Sequence, residues 1–135
     1  MSRGLRNNNP GNIRLSKTKY LGEVPSTDSA FKQFKSIAWG YRAMFVLLFT
    51  YQKKYNCNTL REIISRYAPP NENHTENYIE AVSDSSGVWP DVKITTTNRD
   101  IMVPVVAAMS RVENGVSAVM DEVNKGWELF QKHKP

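Results

Sequence analysis

Two carboxylates in this chain sit where acid–base chemistry could use them. Glu113 closes the apolar stretch Ala107-Ala108-Met109-Ser110-Arg111-Val112, immediately before Asn114-Gly115. A carboxylate ending a buried helix is partly enclosed. Burial disfavours its ionised form and raises its pKa toward the range needed to protonate a glycosidic oxygen. The negative end of the helix dipole acts in the same direction. By pattern alone, however, a solvated glutamate beside a helix C-cap is the commoner outcome, so spacing leaves Glu113 open. Glu23, between Gly22 and Val24, lies in a stretch that reads as a hairpin. A hairpin carboxylate is usually just exposed. Its alternative role is to position water in an inverting hydrolase, which requires a separation of about 6.5–9.5 Å from the acid.

Neutral side chains supply the remaining candidates for a binding cleft. Asn9 and Asn12 flank Pro10-Gly11. They suit Asx turns, and their amides could also meet acetamido groups of a sugar, with the structural role ranked first. Gln33, between Phe31 and Phe34, faces either a cleft or solvent. Cys57 is the single cysteine, which excludes an internal disulfide. With His74 and His133 it gives no zinc-like spacing, so neither a metal nor a cofactor is expected. Nothing near Cys57 would activate a thiolate and His74 has no evident nucleophile, so a Cys–His peptidase ranks low.

The elements that must position these groups are mostly helical. With 135 residues, 40% of them hydrophobic, the chain suits one cored domain spanning 1–135. Residues 3–34, rich in Asn, Gly, Pro and Ser, predict turns and a small irregular β-hairpin. Ile37 to about Tyr55 is apolar on nearly every face and predicts the central helix. Thr59-x-x-Glu62 and Asn73-x-x-Glu76 read as capping boxes opening two amphipathic helices. The first is stopped by Ala68-Pro69-Pro70, and the second runs to about Ser85. A Thr-rich extended link follows from Asp91 to Thr97. Asn98 or Thr97 then caps a helix from Ile101 to Glu113, with Pro104 expected in its first turn. A last amphipathic helix is expected over about Ser117 to Gln131. The fold class is α+β, mainly α, with a small N-terminal β-hairpin.

Charge narrows the partner only slightly. The 18 Lys and Arg against 13 Asp and Glu leave a net +5, which favours encounter with a polyanion such as nucleic acid or the bacterial wall. The positive residues are scattered, and no zinc-finger, RNP or basic-zipper pattern is present, which counts against nucleic acid. The longest strongly apolar run, Ala43 to Phe49, is far below the roughly 20 residues of a membrane span. No signal-peptide pattern opens the chain, which predicts synthesis in the cytoplasm without a leader.

Three stretches resemble known lytic enzymes. Arg111-Val112-Glu113-Asn114-Gly115 looks like the end of the catalytic helix in lytic transglycosylases and goose-type lysozymes. Thr75-Glu76-Asn77-Tyr78-Ile79-Glu80-Ala81-Val82 is similar to their Thr-x-x-Tyr-Val-x-x-Val helix, which borders the glycan cleft; His74 stands where they carry a Glu, the nearest upstream acid being Glu72. The layout Arg3-Gly4-Leu5-Arg6-Asn7-Asn8-Asn9-Pro10-Gly11-Asn12-Ile13-Arg14 is followed by Phe31-x-x-Phe34, Gly40-Tyr41-Arg42-Ala43, Tyr67-Ala68-Pro69-Pro70 and Glu72-Asn73-x-Thr75. It resembles phage and prophage proteins grouped with the lysozyme-like lytic enzymes of cystoviruses.

The resemblance implies a lysozyme-like domain, peptidoglycan as partner, Glu113 as a single general acid/base, and Thr75 and Tyr78 in the cleft. It implies cleavage between N-acetylmuramic acid and N-acetylglucosamine, with wall access through lysis, export or a virion. In that family the catalytic helix comes first, whereas here Glu113 lies near the C-terminal end, which implies a circularly permuted order. The permutation requires residues 7–12 to return beside Glu113. A catalytically silent phage structural or wall-binding module is the alternative. A basic nucleic-acid-binding domain ranks third.

Overall fold

A computed structural model describes residues 1–70 and 74–135. Glu72 and the Asn73 half of the second expected capping box lie outside the described residues. The N-terminal segment opens with a short helix, α1 (Arg3–Arg6), capped by the Ser2 hydroxyl, which accepts from the Leu5 N–H. One turn is too short to leave a periodic signature in the sequence. The expected hairpin follows: β1 (Glu23–Val24) pairs antiparallel with β2 (Gln33–Phe34), Glu23 opposite Phe34 and Val24 opposite Gln33. An isolated bridge between Arg14 and Phe31 extends the pairing.

The helices then follow in close agreement with the apolar pattern. α2 (Ile37–Tyr55) buries Tyr41, Ala43, Met44, Phe45 and Leu48, and ends where Asn56 turns left-handed. Asparagine tolerates that conformation better than most residues. α3 (Leu60–Tyr67) opens on Thr59, whose side chain accepts from the Glu62 N–H. The Glu62 carboxylate reaches back to the Asn58 N–H at 2.9 Å, one residue upstream of the partner a reciprocal box would use. α4 (Thr75–Ser86) and α5 (Arg99–Asn114) each close on a left-handed glycine, Gly87 and Gly115. α6 (Met120–Lys132) completes the chain.

Two expectations require correction. The Asn98 side chain accepts from the Asp100 N–H and starts α5 at Arg99, which moves Pro104 into the second turn. There it leaves the Asp100 carbonyl without its intrahelical donor, and Asp100 is an exposed residue. α6 starts at Met120, after Ser117 and Ala118, because the Val119 carbonyl is the first backbone acceptor, taking the Glu122 and Val123 N–H groups.

The architecture is therefore mainly α with one small hairpin. α2 is the central element and packs most extensively on α6. Phe45 meets Trp127 edge-on at 5.0 Å and Phe130 at 6.1 Å. Gly126 permits this approach, since a Cβ there would stand 3.0 Å from the Arg42 backbone nitrogen. α4 and α5 form a second packed pair, flanked by α3. Among the described residues no helix is long and apolar enough to cross a membrane.

Candidate active site

The run Asn7-Asn8-Asn9-Pro10-Gly11-Asn12 shapes one wall of the site. Asn8 and Asn12 adopt positive φ of 51° and 49°. Asn9, fully buried, ties the loop shut: its Nδ2 donates to the Ile13 and Lys32 carbonyls at 3.0 and 2.9 Å, and its Oδ1 accepts from the Ile13 N–H at 2.9 Å. Asn9 is thus a structural brace. Asn114, the last residue of α5, fastens the loop to the helix by donating from Nδ2 to the Pro10 and Ser110 carbonyls, each at 2.8 Å, while its Oδ1 accepts from the Ser2 hydroxyl at 2.7 Å. Gly4 of α1 lies in this junction, where no side chain fits.

These fastenings bring Asn12 against Glu113. Asn12 Nδ2 donates to Glu113 Oε1 at 2.9 Å, and the Tyr78 hydroxyl, from α4, donates to Oε2 at 2.9 Å. Both carboxylate oxygens are held by neutral donors. Burial raises the Glu113 pKa above the ordinary carboxylate value, opposed by the two hydrogen bonds and the nearby Arg14 cation. Tyr78 is itself buried, and its pKa is pushed well above that of a free phenol by burial first, then by Tyr67 and Glu113. It therefore stays a donor. Tyr67 stacks edge-on to Tyr78 at 6.5 Å and hydrogen-bonds the Gly11 carbonyl, which joins α3 to the same loop.

Glu113 faces an open pocket of about 460 Å³, whose walls include Gly11, Asn12, Arg14, Phe31, Tyr67 and Tyr51. Glu113 is the acidic side chain among its described lining residues. A half-buried carboxyl in such a cleft holds its proton to higher pH than an exposed one and can deliver it to an oxygen bound in front of it.

The other candidates are placed elsewhere. Glu23 does not line this pocket: both its oxygens accept from Lys32 Nζ at 3.0 Å, and one also accepts from the Tyr20 N–H. Lys32 is completely enclosed and donates further to the Ser16 and Thr18 carbonyls, so Glu23 neutralises a buried cation. Thr75 is buried, with its hydroxyl donating to the Ala68 carbonyl across the α3–α4 connection. The Gln33 side-chain oxygen accepts from the Thr27 N–H and hydroxyl within the hairpin, away from the pocket. Burial raises the Cys57 thiol pKa, and among the described residues no His, Cys, Asp and Glu cluster could hold a metal.

No family model matches the sequence. The chain is 39% identical over 132 residues to Protein P5 of Pseudoalteromonas phage PM2, an alignment covering 94% of this chain and 81% of that protein. It belongs to the Protein P5 family. The kinship is thus with a phage protein, and it spans every segment that contributes to the Glu113 pocket. Sequence reasoning missed three residues in or beside this family member's site: Tyr67, Arg14 and Asn114. All three lie inside stretches quoted for the resemblance, so their signal was available. The role of Asn114 beyond ending the helix emerges where the N-terminal loop docks on it.

Proposed function

We propose that this protein cleaves the glycosidic bond between N-acetylmuramic acid and N-acetylglucosamine in peptidoglycan, with Glu113 as a single general acid/base. The observation that carries this reading is the half-buried Glu113 carboxyl, held by Asn12 and Tyr78 at the wall of an open pocket. Its raised pKa favours the protonated form that the leaving oxygen needs. After that transfer, the carboxylate can take a proton from the attacking hydroxyl.

Glu23 is occupied by Lys32, and the described pocket lining offers no other acid to position water. This favours attack by the muramyl 6-hydroxyl, which closes a 1,6-anhydro ring, over inverting hydrolysis. Asn12 and Tyr78 orient the Glu113 carboxyl. The protein acts on the cell wall, reached through lysis, export or a virion.

Purified peptidoglycan incubated with wild type and with Glu113→Gln tests the reading by mass spectrometry of released muropeptides. Anhydro-muropeptides from wild type, with release reduced about 10²–10⁴-fold in the variant, are expected for loss of general acid–base catalysis. Ordinary reducing ends would identify a hydrolase. No release by wild type from several wall types would assign the fold to a silent wall-binding or structural module.

A further inference from the structure

The Glu113 pocket does not end at its own walls. Thr18, Tyr20, Leu47 and Tyr51 line both it and a larger groove of about 1360 Å³, so the two spaces adjoin across those residues. The larger groove is cationic: Lys19, Arg42, Lys54, Arg66 and Lys134 contribute to its lining, against Glu62 as the acidic side chain.

Two of these cations are held in place by the protein. Arg42 is 4% exposed; it donates to the His133 carbonyl, but its buried Nε has no hydrogen-bond partner. That nitrogen is sealed from the surface, so Arg42 adds fixed positive charge to the groove wall rather than a direct contact. Arg66 lies 3.4 Å over the Tyr55 ring and 5.5 Å from the Tyr51 ring centre. Stacking presents the guanidinium edge, whose fork of N–H donors matches a carboxylate. Lys54 and Arg66 are exposed, and no protein carboxylate pairs with either among the described residues.

We propose that this groove binds the carboxylates of the peptide stems carried by the glycan strand, so that the preferred substrate is stem-bearing rather than denuded glycan. The proposal rests on the glycan reading of the Glu113 pocket. A strand seated at Glu113 carries its stems outward from alternate sugars, and the adjoining cationic groove offers them paired charges and aromatic walls. A polyphosphate would fit the same cations, but its continuation past Glu113 would meet a carboxyl at a site where positive charge is needed.

Binding is measured with Glu113→Gln, which separates retention from cleavage. The probes are intact sacculi, sacculi stripped of phosphodiester-linked polymers with hydrofluoric acid, and glycan strands freed of stems by an amidase. Equal retention on the first two and several-fold weaker retention on the third is expected, with the difference reduced by salt. Adding Lys54→Ala and Arg66→Ala should weaken retention on intact sacculi by about threefold or more, the scale of two exposed charge contacts, with an unchanged thermal melt. Arg42→Gln, checked for folding by circular dichroism, should act in the same direction.

Equal retention on stem-bearing and denuded strands would overturn the proposal. Loss on acid-stripped sacculi would assign the groove to phosphate, and tighter binding to a DNA duplex than to any wall preparation would assign it to nucleic acid; either overturns it. Turnover by the wild-type protein is scored separately. Stem-dependent binding without turnover removes only the catalytic reading, whereas turnover with stem-independent binding removes only this one.

Discussion

At the scale of single residues, the behaviour of the site depends on how Glu113 holds its proton. Its pKa in the folded protein is raised, so protonation stabilises the fold below the ordinary carboxylate range, and that contribution is lost as pH rises through the folded value. At neutral pH the fold carries the cost of an enclosed carboxylate. Glu113→Gln should therefore melt a few degrees higher than wild type at pH 7, with the gain vanishing near pH 3, in thermal scans by circular dichroism. The amide fits because Asn12 can turn over: its buried Oδ1 has no partner now and would accept from the new glutamine NH₂. A variant less stable than wild type at pH 7 would contradict the burial argument. Tyr78→Phe removes a donor that favours the carboxylate, so the Glu113 pKa should rise further. In the proposed reaction Glu113 must be protonated to act as the acid. The alkaline limb of the pH–rate profile should consequently move to higher pH in Tyr78→Phe, while the maximum rate falls through poorer orientation of the carboxyl.

At the scale of elements, the site is a junction between the N-terminal loop and the C-terminal turn of α5, and Gly4 sets how closely they meet. A Cβ at Gly4 would stand 2.7 Å from both the Asn114 and Asn12 side-chain oxygens and 2.8 Å from the Asn9 carbonyl. Gly4→Ala must push α1 away from α5, at a cost of about 1–3 kcal/mol. It should also loosen Asn12 from Glu113, so the loss of muropeptide release should exceed what the melt alone explains. The helices were legible because their signals are local: the apolar run of α2, the Thr59 cap, and the left-handed glycines ending α4 and α5. The contact between Asn12 and Glu113 was legible only through the permuted order the resemblance implied, since 101 positions separate them. The surroundings of Glu23 were illegible for a related reason. Its role is decided by Lys32, a lysine in a two-residue-strand hairpin, and no periodicity marks such a residue for complete burial. Pro104 lies two residues deeper than expected because the expected Asn98 cap starts the helix at Arg99 rather than at Ile101.

At the scale of the whole molecule, the cohesion of the site and that of the core have different origins. Residues 1–35 contribute Ile13 and Phe34 to the buried apolar core, and their other enclosed anchors are largely polar, among them Asn7, Asn9 and Lys32. The helices supply most of the remainder, with the Phe45, Trp127 and Phe130 cluster joining α2 to α6. Regions with little apolar burial open at lower free energy than the elements they rest on. The N-terminal segment should therefore detach before the helical core unfolds, and detachment removes Asn12 from Glu113. In a urea titration, muropeptide release assayed at each concentration should be lost at a lower midpoint than the helical circular dichroism signal. Amide hydrogen exchange should locate the early opening in residues 7–15 rather than in α2 or α6. Coincident midpoints for activity and helicity would mean that the polar braces of Asn9, Asn114 and Lys32 couple the segment to the core as firmly as packing does. The buried ion pair would then be the element to test, because removing one partner of a buried pair typically costs about 3–5 kcal/mol. Under that outcome Glu23→Gln should separate the two midpoints that wild type keeps together.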